Sequence, residues 1–311
     1  MIFTARGLLV SLAFFATVYC PLSLLVVFVW RGAKQFSQGT LANTANLLFG
    51  LRTSPFAISA MVTVFFTFPS FWLLERKSPD EDTGTFLLAL CSLLILGSGL
   101  FRALRVQART TRAVTQWVMG ATTVGAEGRM PMLRASGDAP PLVLVGFRKP
   151  TVMISDLATA VLTDDELRVA VRHELVHVRS WDNLKKVMIS LTPFPGMSGI
   201  ESAWQEAAEL AADEAAVANH QEALDLAAAL IKLSKSSQQW PKPLLATGLV
   251  SGSCSISLRV RRLLQWRKAG RHPQTAWYWS LLVLFAMFVG IAGNYGAALV
   301  LTHRLTELLV P

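Results

Sequence analysis

Four stretches of the chain are apolar and free of charged side chains: Leu8–Trp30, Pro55–Leu74, Phe86–Phe101 and Trp277–Leu301. Each approaches or exceeds the roughly 17 to 20 residues that a bilayer-spanning helix requires, the third being the shortest. The first run is far longer than the roughly 7 to 15 apolar residues of a secretory signal core, and it reads as a retained membrane helix. Four such runs in one chain predict about four transmembrane helices, three within residues 1–101 (about 8–30, 55–74 and 86–101) and the fourth within 277–311.

Between the third and fourth runs, over residues 102–276, the pattern changes to that of a folded polar domain. The stretch from Met119 to Pro141 reads as loop, punctuated by Gly, Pro and Ala, with one short strand near Met130–Arg134. Leu142–Val145 and Thr151–Ile154 are β-rich runs separated by Gly146 and Pro150, which predicts a small sheet. Thr163-Asp164-Asp165-Glu166 has the form of a capping box, in which the Thr hydroxyl and Glu carboxylate satisfy the first free amides of a helix. That helix is expected to continue to at least Trp181. Pro193 and Pro195 break the chain, and the Ala-, Leu- and Glu-rich sequence from Glu201 onward predicts one long second helix reaching the IKL near Leu233.

Composition agrees with a membrane protein. Of 311 residues 52% are hydrophobic and only 16% charged, against roughly a quarter in ordinary soluble proteins. The net charge of +9 would suit nucleic acid, but the basic residues gather beside the apolar runs: Arg31, Lys34 and Arg52; Arg102, Arg105, Arg109 and Arg112; and Arg259 to Arg271. Positive flanks stay on the cytoplasmic side. The expected arrangement is a multi-pass cell-membrane protein with its domain in the cytoplasm, bound to the lipid bilayer and not to nucleic acid. Three cysteines without a CxxC pair suggest no disulfide framework.

The chemistry is carried by His173-Glu174-Leu175-Val176-His177. Two histidines four apart on a helix share one face, as a single metal ion requires. A catalytic zinc commonly takes three protein ligands, and two histidines with a glutamate are a recurring set. Glu209 is the best third ligand; it stands four residues before Asp213, so the two stack on one helical face, whereas Glu206 has no such partner. Asp213 is suited to accept a hydrogen bond from a ligand histidine, and Asp182 is a weaker choice for that task. Glu174 would act as general base on a water activated by Zn2+. His220, Arg259 and Arg262 are open as helpers of the transition state.

The chain resembles the BlaR/MecR-type integral-membrane zinc metallopeptidases. The resemblance rests on PPLVLVGFRKPTVMIS, LTDDELRVAVRHELVHVRSWDNL, ELAADEAAV and SLRVRRLL, together with the four-helix layout, and so covers most of the chain. It implies an α+β zincin-like metallopeptidase domain inserted between helices three and four. It also implies His173, His177 and Glu209 as zinc ligands of a gluzincin-type HExxH…ExxxD site, Glu174 as catalytic base, and Asp213 as the aspartate that follows the ligand glutamate. Antibiotic-sensing members carry an extracellular penicillin-binding domain after the last membrane helix, which is not found in the residues beyond Leu301. The expected function is endoproteolysis of a cytoplasmic or membrane-adjacent protein or peptide, in regulatory proteolysis. HtpX-like and CAAX-processing membrane proteases share HExxH and ExxxD but not the VGFRKP and DNL stretches; a zinc-binding scaffold without turnover is the third alternative. Substrate identity, activating signal and oligomeric state are left open by the residues.

Overall fold

The computed structural model describes residues 2–32, 40–74, 83–119, 121–127, 130–135, 139–145, 150–236, 246–248, 255–266 and 295–309. The protein is mostly helical with one small mixed sheet. Among the described residues three helices are long and apolar enough to cross a membrane: Phe3–Gly32, Leu41–Leu74 and Thr83–Val118. They outrun the apolar stretches, and the second begins inside what the charge pattern marks as a loop. Most of the fourth run, Trp277–Leu301, lies outside the described residues; its end joins a helix over Tyr295–Leu309.

The chain divides into two compact units, residues 1–32, 53–97 and 269–311 forming one, and 33–52 and 98–268 the other. In the first unit, α1 (Ile2–Gly32) packs Ala13 and Phe14 against Ala89 of α4 (Thr83–Val118). The second membrane-length helix consists of α2 (Leu41–Val62), a π-helical turn (Thr63–Thr67) and α3 (Phe68–Leu74). Pro69 explains the π turn, because a proline removes one helical N–H and its ring clashes with the carbonyl four residues earlier. That carbonyl belongs to Phe65, and the Tyr295 hydroxyl donates to it at 2.7 Å. Large apolar side chains such as Phe28, Leu73, Leu94 and Phe101 remain exposed, as on a lipid-facing surface.

The second unit is built on a five-stranded sheet in the order β1-β2-β4-β3-β5. β1 (Thr122–Glu127) pairs antiparallel with β2 (Met130–Ala135), which runs parallel to β4 (Thr151–Ser155). β3 (Leu142–Val145) lies antiparallel to both β4 and β5 (Ala246–Gly248). β1 corrects the sequence reading, which treats its segment as loop, and β5 lies in a segment for which the sequence offered no element. Neither has the alternating apolar pattern that marks a strand, and both gain their bonds only by pairing with a neighbour.

Alternation does govern the middle of the sheet. Leu142, Leu144, Val152 and Ile154 face a core shared with the helices over Asp164–Arg179 and His220–Ser236, while Val143, Val145 and Met153 face Trp117 of α4. α5 (Asp156–Val161) follows β4, and the Thr163 capping box opens α6 (Asp164–Arg179), with Thr163 N donating to Glu166 Oε2 at 2.9 Å. α6 ends two residues earlier than expected. Trp181 takes φ 57°, ψ 32°, and a new helix α7 (Asp182–Leu191) starts from it. The single long helix expected after Glu201 is likewise two, α8 (Ser198–Ala216) and α9 (His220–Ser236), because Val217 turns extended. The amphipathic α10 (Ile256–Leu264) follows β5.

The start of α2 belongs to this second unit and is fixed by Arg52. Its guanidinium is buried and donates to Glu201 Oε1 (2.8 and 2.9 Å), to the Thr192 carbonyl (2.7 Å) and to Thr192 Oγ1 (3.0 Å). Arg52, which the sequence reading counts only among the basic flanks of the apolar runs, is thus also a structural ion-pair partner. Gly99 of α4 lies so close to the Leu191 carbonyl that a Cβ there would collide with it. Arg52 and Gly99 hold the turn between α7 and α8, and so the helices that carry the site.

Candidate metal centre

α6 delivers His173 and His177 from one face, one turn apart, with rings set edge to face at 82°. Their Nε2 atoms stand 3.2 Å apart, close to the about 3.3 Å imposed by a tetrahedral ion with nitrogen ligands at about 2.0–2.1 Å. α8 packs against α6 and brings Glu209 to them, its carboxylate oxygens 3.6 Å from His173 Nε2 and 3.7 Å from His177 Nε2. Ligand-type atoms of the three residues lie within 4.8 Å of one another, all buried, and the group is able to hold a metal ion. Glu206, one helical turn away, is only half-buried and stands outside it.

Each histidine meets an aspartate on its other nitrogen. Asp182 Oδ2 is 2.6 Å from His177 Nδ1. Asp213 Oδ1 lies 3.1 Å from His173 Nδ1, off the line of the ring N–H. With Nδ1 held by Asp182, His177 presents the Nε2 lone pair to the shared centre, the arrangement that fixes the tautomer of a ligating imidazole, and Asp213 stands within reach of the same task on His173. The sequence reading ranks Asp213 first and Asp182 second for this task; the geometry gives one aspartate to each ring.

Asp182 had a poor sequence signal. On an unbroken helix a residue five positions on points about 140° away from His177. The left-handed Trp181 ends α6 and turns the chain, and only then does Asp182 reach back.

Arg259 completes the cluster from α10. It is 2% exposed and forks onto Asp213, Nε to Oδ2 at 2.7 Å and Nη2 to Oδ1 at 2.6 Å. Its Nη1 stands 3.0 Å from Glu209 Oε2, and its Nη2 is 3.4 Å from His173 Nε2. Arg262 is exposed. The sequence did contain a sign of the difference: Arg259 sits among Ile256, Val260 and Leu263, on the apolar stripe of α10. His220 is exposed and opens α9 beyond the break in the chain, outside the metal-type cluster. Its expected place on the same helix as Asp213 is corrected by that break.

Electrostatics follow from burial and pairing. Burial would raise the Asp213 carboxyl, but the Arg259 guanidinium bonded to it and the neighbouring His173 ring bring it down to about 2. Glu209 is also held below its ordinary value, since His173, His177 and Arg259 outweigh its burial. Burial opposes charge on His173, yet Asp213 and Glu209 lift it to about 9. A field that favours a proton there favours a divalent cation too. Glu174 is the exception: burial dominates and pushes its carboxyl up. Both its oxygens are buried without a hydrogen-bond partner among the described residues. Sequence reasoning missed Lys186 on α7, whose ammonium is lowered by burial while Glu209, Asp182 and Glu174 oppose that shift.

A buried His-His-Glu donor set, in a chain with three helices of membrane-spanning length, defines a membrane-associated metalloprotein. A family model described as BlaR1 peptidase M56 matches residues 83–263, more than half of the chain, and includes all of α6 and α8 and all but the last residue of α10. The chain belongs to the BlaR1 peptidase M56 family and is a membrane-associated metallopeptidase. No curated protein matches it.

Proposed function

We propose that the protein is a zinc-dependent endopeptidase of the gluzincin type that cuts a cytoplasmic or membrane-adjacent protein in regulatory proteolysis. The observation that carries this reading is Glu174. A carboxylate with two buried, unbonded oxygens costs stability unless something occupies its side of the site, and a water awaiting deprotonation is such a partner. A non-catalytic zinc scaffold has no use for it.

His173 Nε2, His177 Nε2 and the Glu209 carboxylate would hold the zinc. When bound, zinc polarises the peptide carbonyl and lowers the pKa of water towards about 7. Glu174 takes the proton of the attacking water on a carboxylate oxygen and passes it to the departing amine nitrogen, and its raised pKa makes it the stronger base. Asp182 and Asp213 keep the histidine rings in one tautomer, and Arg259 balances the charge of Asp213 and Glu209. Burial of the whole set keeps bulk water from competing.

The full chain, purified in detergent, tests this with casein as an unfolded substrate and elemental analysis for zinc. Glu174→Gln is expected to keep its zinc and lose at least about 100-fold in cleavage rate. Undiminished cleavage would overturn the assignment, and loss of zinc would make Glu174 structural.

The zincin-like fold of the second unit, the fourth membrane span and the cytoplasmic placement of the catalytic domain belong to the same proposal. The charge bias of the loops supports the orientation. Topology reporters fused after Asp80, Gly137 and Pro311 should register outside, inside and outside; an inside signal at Pro311 removes the fourth span, and a reversed set removes the orientation.

A further inference from the structure

Helix α4 is free of charge from Thr83 to Phe101 and then carries Arg102, Arg105, Arg109 and Arg112, with no Asp or Glu anywhere along it. The charge-free part has 19 residues and is about 28 Å long at 1.5 Å per residue, which matches the roughly 30 Å of bilayer hydrocarbon. Arg102 therefore stands where a spanning helix leaves the hydrocarbon.

Steps of three, four and three residues put the four arginines on one stripe of the helix. The stripe runs beside the face on which Gly99, Ala103, Thr110 and Trp117 are packed. All four arginines are exposed, and none makes an ion pair among the described residues. Other exposed or half-buried arginines of the second unit do find acids: Arg134 pairs with Asp156, Arg168 with Asp165 and Arg172 with Glu222. Like charges three or four apart cost a helix about 0.2–0.5 kcal/mol per pair, and among the described residues nothing offsets that cost. Marking the topology needs positive charge near the end of a span in any order around the helix. An ordered, unpaired stripe calls for an anion.

Two features say which anion. Side chains on a helix lean towards its N-terminus, which in α4 is the apolar, membrane side, so the arginines lean back towards the headgroup layer. Phe101, 62% exposed, and Leu104, 59% exposed, stand beside Arg102 and Arg105; such apolar surface suits acyl chains and not an acidic partner in water. We infer that this face of α4 binds the headgroups of anionic phospholipids, Arg102 and Arg105 taking one phosphate and Arg109 and Arg112 a second. Arginines three apart have their Cβ atoms about 5–6 Å from each other, so both guanidinium forks reach the oxygens of one phosphate. Arg102 and Arg105 lie within about 6 Å of the end of the charge-free part along the axis, inside the headgroup layer. Arg109 and Arg112 lie about 12–17 Å out, where the field of the surface has faded over a screening length of about 8 Å. The first pair thus carries most of the affinity. The inference rests on α4 crossing the bilayer and is independent of the peptidase reading.

The full chain in dodecyl maltoside tests this by titration with fluorescent phosphatidylglycerol and, separately, with phosphatidylcholine of the same label and acyl chains, whose choline neutralises the phosphate. Phosphatidylglycerol should bind about 100-fold more tightly. Arg102→Gln/Arg105→Gln should lose about 25-fold in that affinity, about 5-fold for each arginine, as expected of about 1 kcal/mol per basic residue near an anionic surface. Arg109→Gln/Arg112→Gln should lose about 5-fold, since both stand further out. Neither should change phosphatidylcholine binding. Glutamine is a good helix former, so both variants should keep the circular dichroism of the parent. Arg168→Gln/Arg262→Gln removes the same charge from exposed positions on other helices and should leave phosphatidylglycerol affinity within about 2-fold, distant charges being screened.

Equal binding of the two lipids overturns the inference, as does a phosphatidylglycerol preference undiminished in both α4 variants or an equal loss in Arg168→Gln/Arg262→Gln. Two further arms separate other anions. Displacement of the lipid by millimolar inorganic phosphate would make the stripe a site for a soluble anion, and labelled polyglutamate binding as tightly as phosphatidylglycerol would make it a docking face for an acidic protein; either result also overturns the lipid assignment.

Discussion

The two units of this chain treat buried polar groups in opposite ways. In the first, a recurring pattern is a buried or half-buried hydroxyl bonded to its own helix: Thr17 to the Ala13 carbonyl, Ser59 to Pro55, Ser70 to Thr67, Thr302 to Ala298 and Thr306 to Thr302. In the second, buried charges find partners far along the chain, with Arg259 on Asp213 and Glu209, Arg52 on Glu201, and Lys232 on Glu166. The difference follows from solvent. A helix in hydrocarbon must satisfy its polar atoms within itself, since no water is at hand and its neighbours offer little. A domain in water is able to bury a charge only by assembling opposite charges around it, and it does so where chemistry requires them.

If that contrast is right, the largest effect belongs to Arg259. Arg259→Met leaves two buried carboxylates without their cation and should cost about 3–5 kcal/mol, the range found when one partner of a buried pair is removed. Denaturant unfolding of the full chain followed by tryptophan fluorescence measures it. Arg259→Lys should recover less than half, because an ammonium cannot reproduce the fork onto Asp213. A cost near zero would mean that the charges are solvated and the contrast is false.

Asp182 comes next. Asp182→Ala frees the His177 ring, and metal affinity should fall about 10- to 100-fold as for other outer partners of ligating histidines. Competition with a chromophoric chelator reads this directly. Unchanged affinity would show that the 2.6 Å contact does not orient the ring.

The smallest effect is expected in the first unit, at one of its long-range exceptions. Tyr295→Phe removes the hydroxyl that answers the Phe65 carbonyl released by Pro69. Hydrogen bonds between membrane helices average about 0.6 kcal/mol, and a loss of that order is expected in thermal unfolding. A loss as large as that of Arg259→Met would erase the distinction between the units.

The same contrast explains what was legible beforehand. Membrane-length helices, the Thr163 capping box, the strands of the sheet centre and the shared face of His173 and His177 depend on residues within a turn or two of each other. Short-range pattern is enough to read such features. Glu209 and Asp213 were readable as a pair for the same reason, with helical spacing and a matching motif. β1 and β5 were not, since each depends on a partner strand elsewhere in the chain.

By itself, then, the amino-acid sequence determined an apolar chain with an HExxH helix and an acidic partner helix, because hydropathy and helical period are local properties. Tertiary structure alone decided that Asp182 reaches His177 through a left-handed Trp181 and that Arg259 is buried among the carboxylates while Arg262 stays in solvent. It also left both Glu174 oxygens without a hydrogen-bond partner among the described residues. A sequence records which groups are present. Their distances depend on where a helix stops and what packs against it, and the energy of a buried charge is set by its neighbours within a few ångströms.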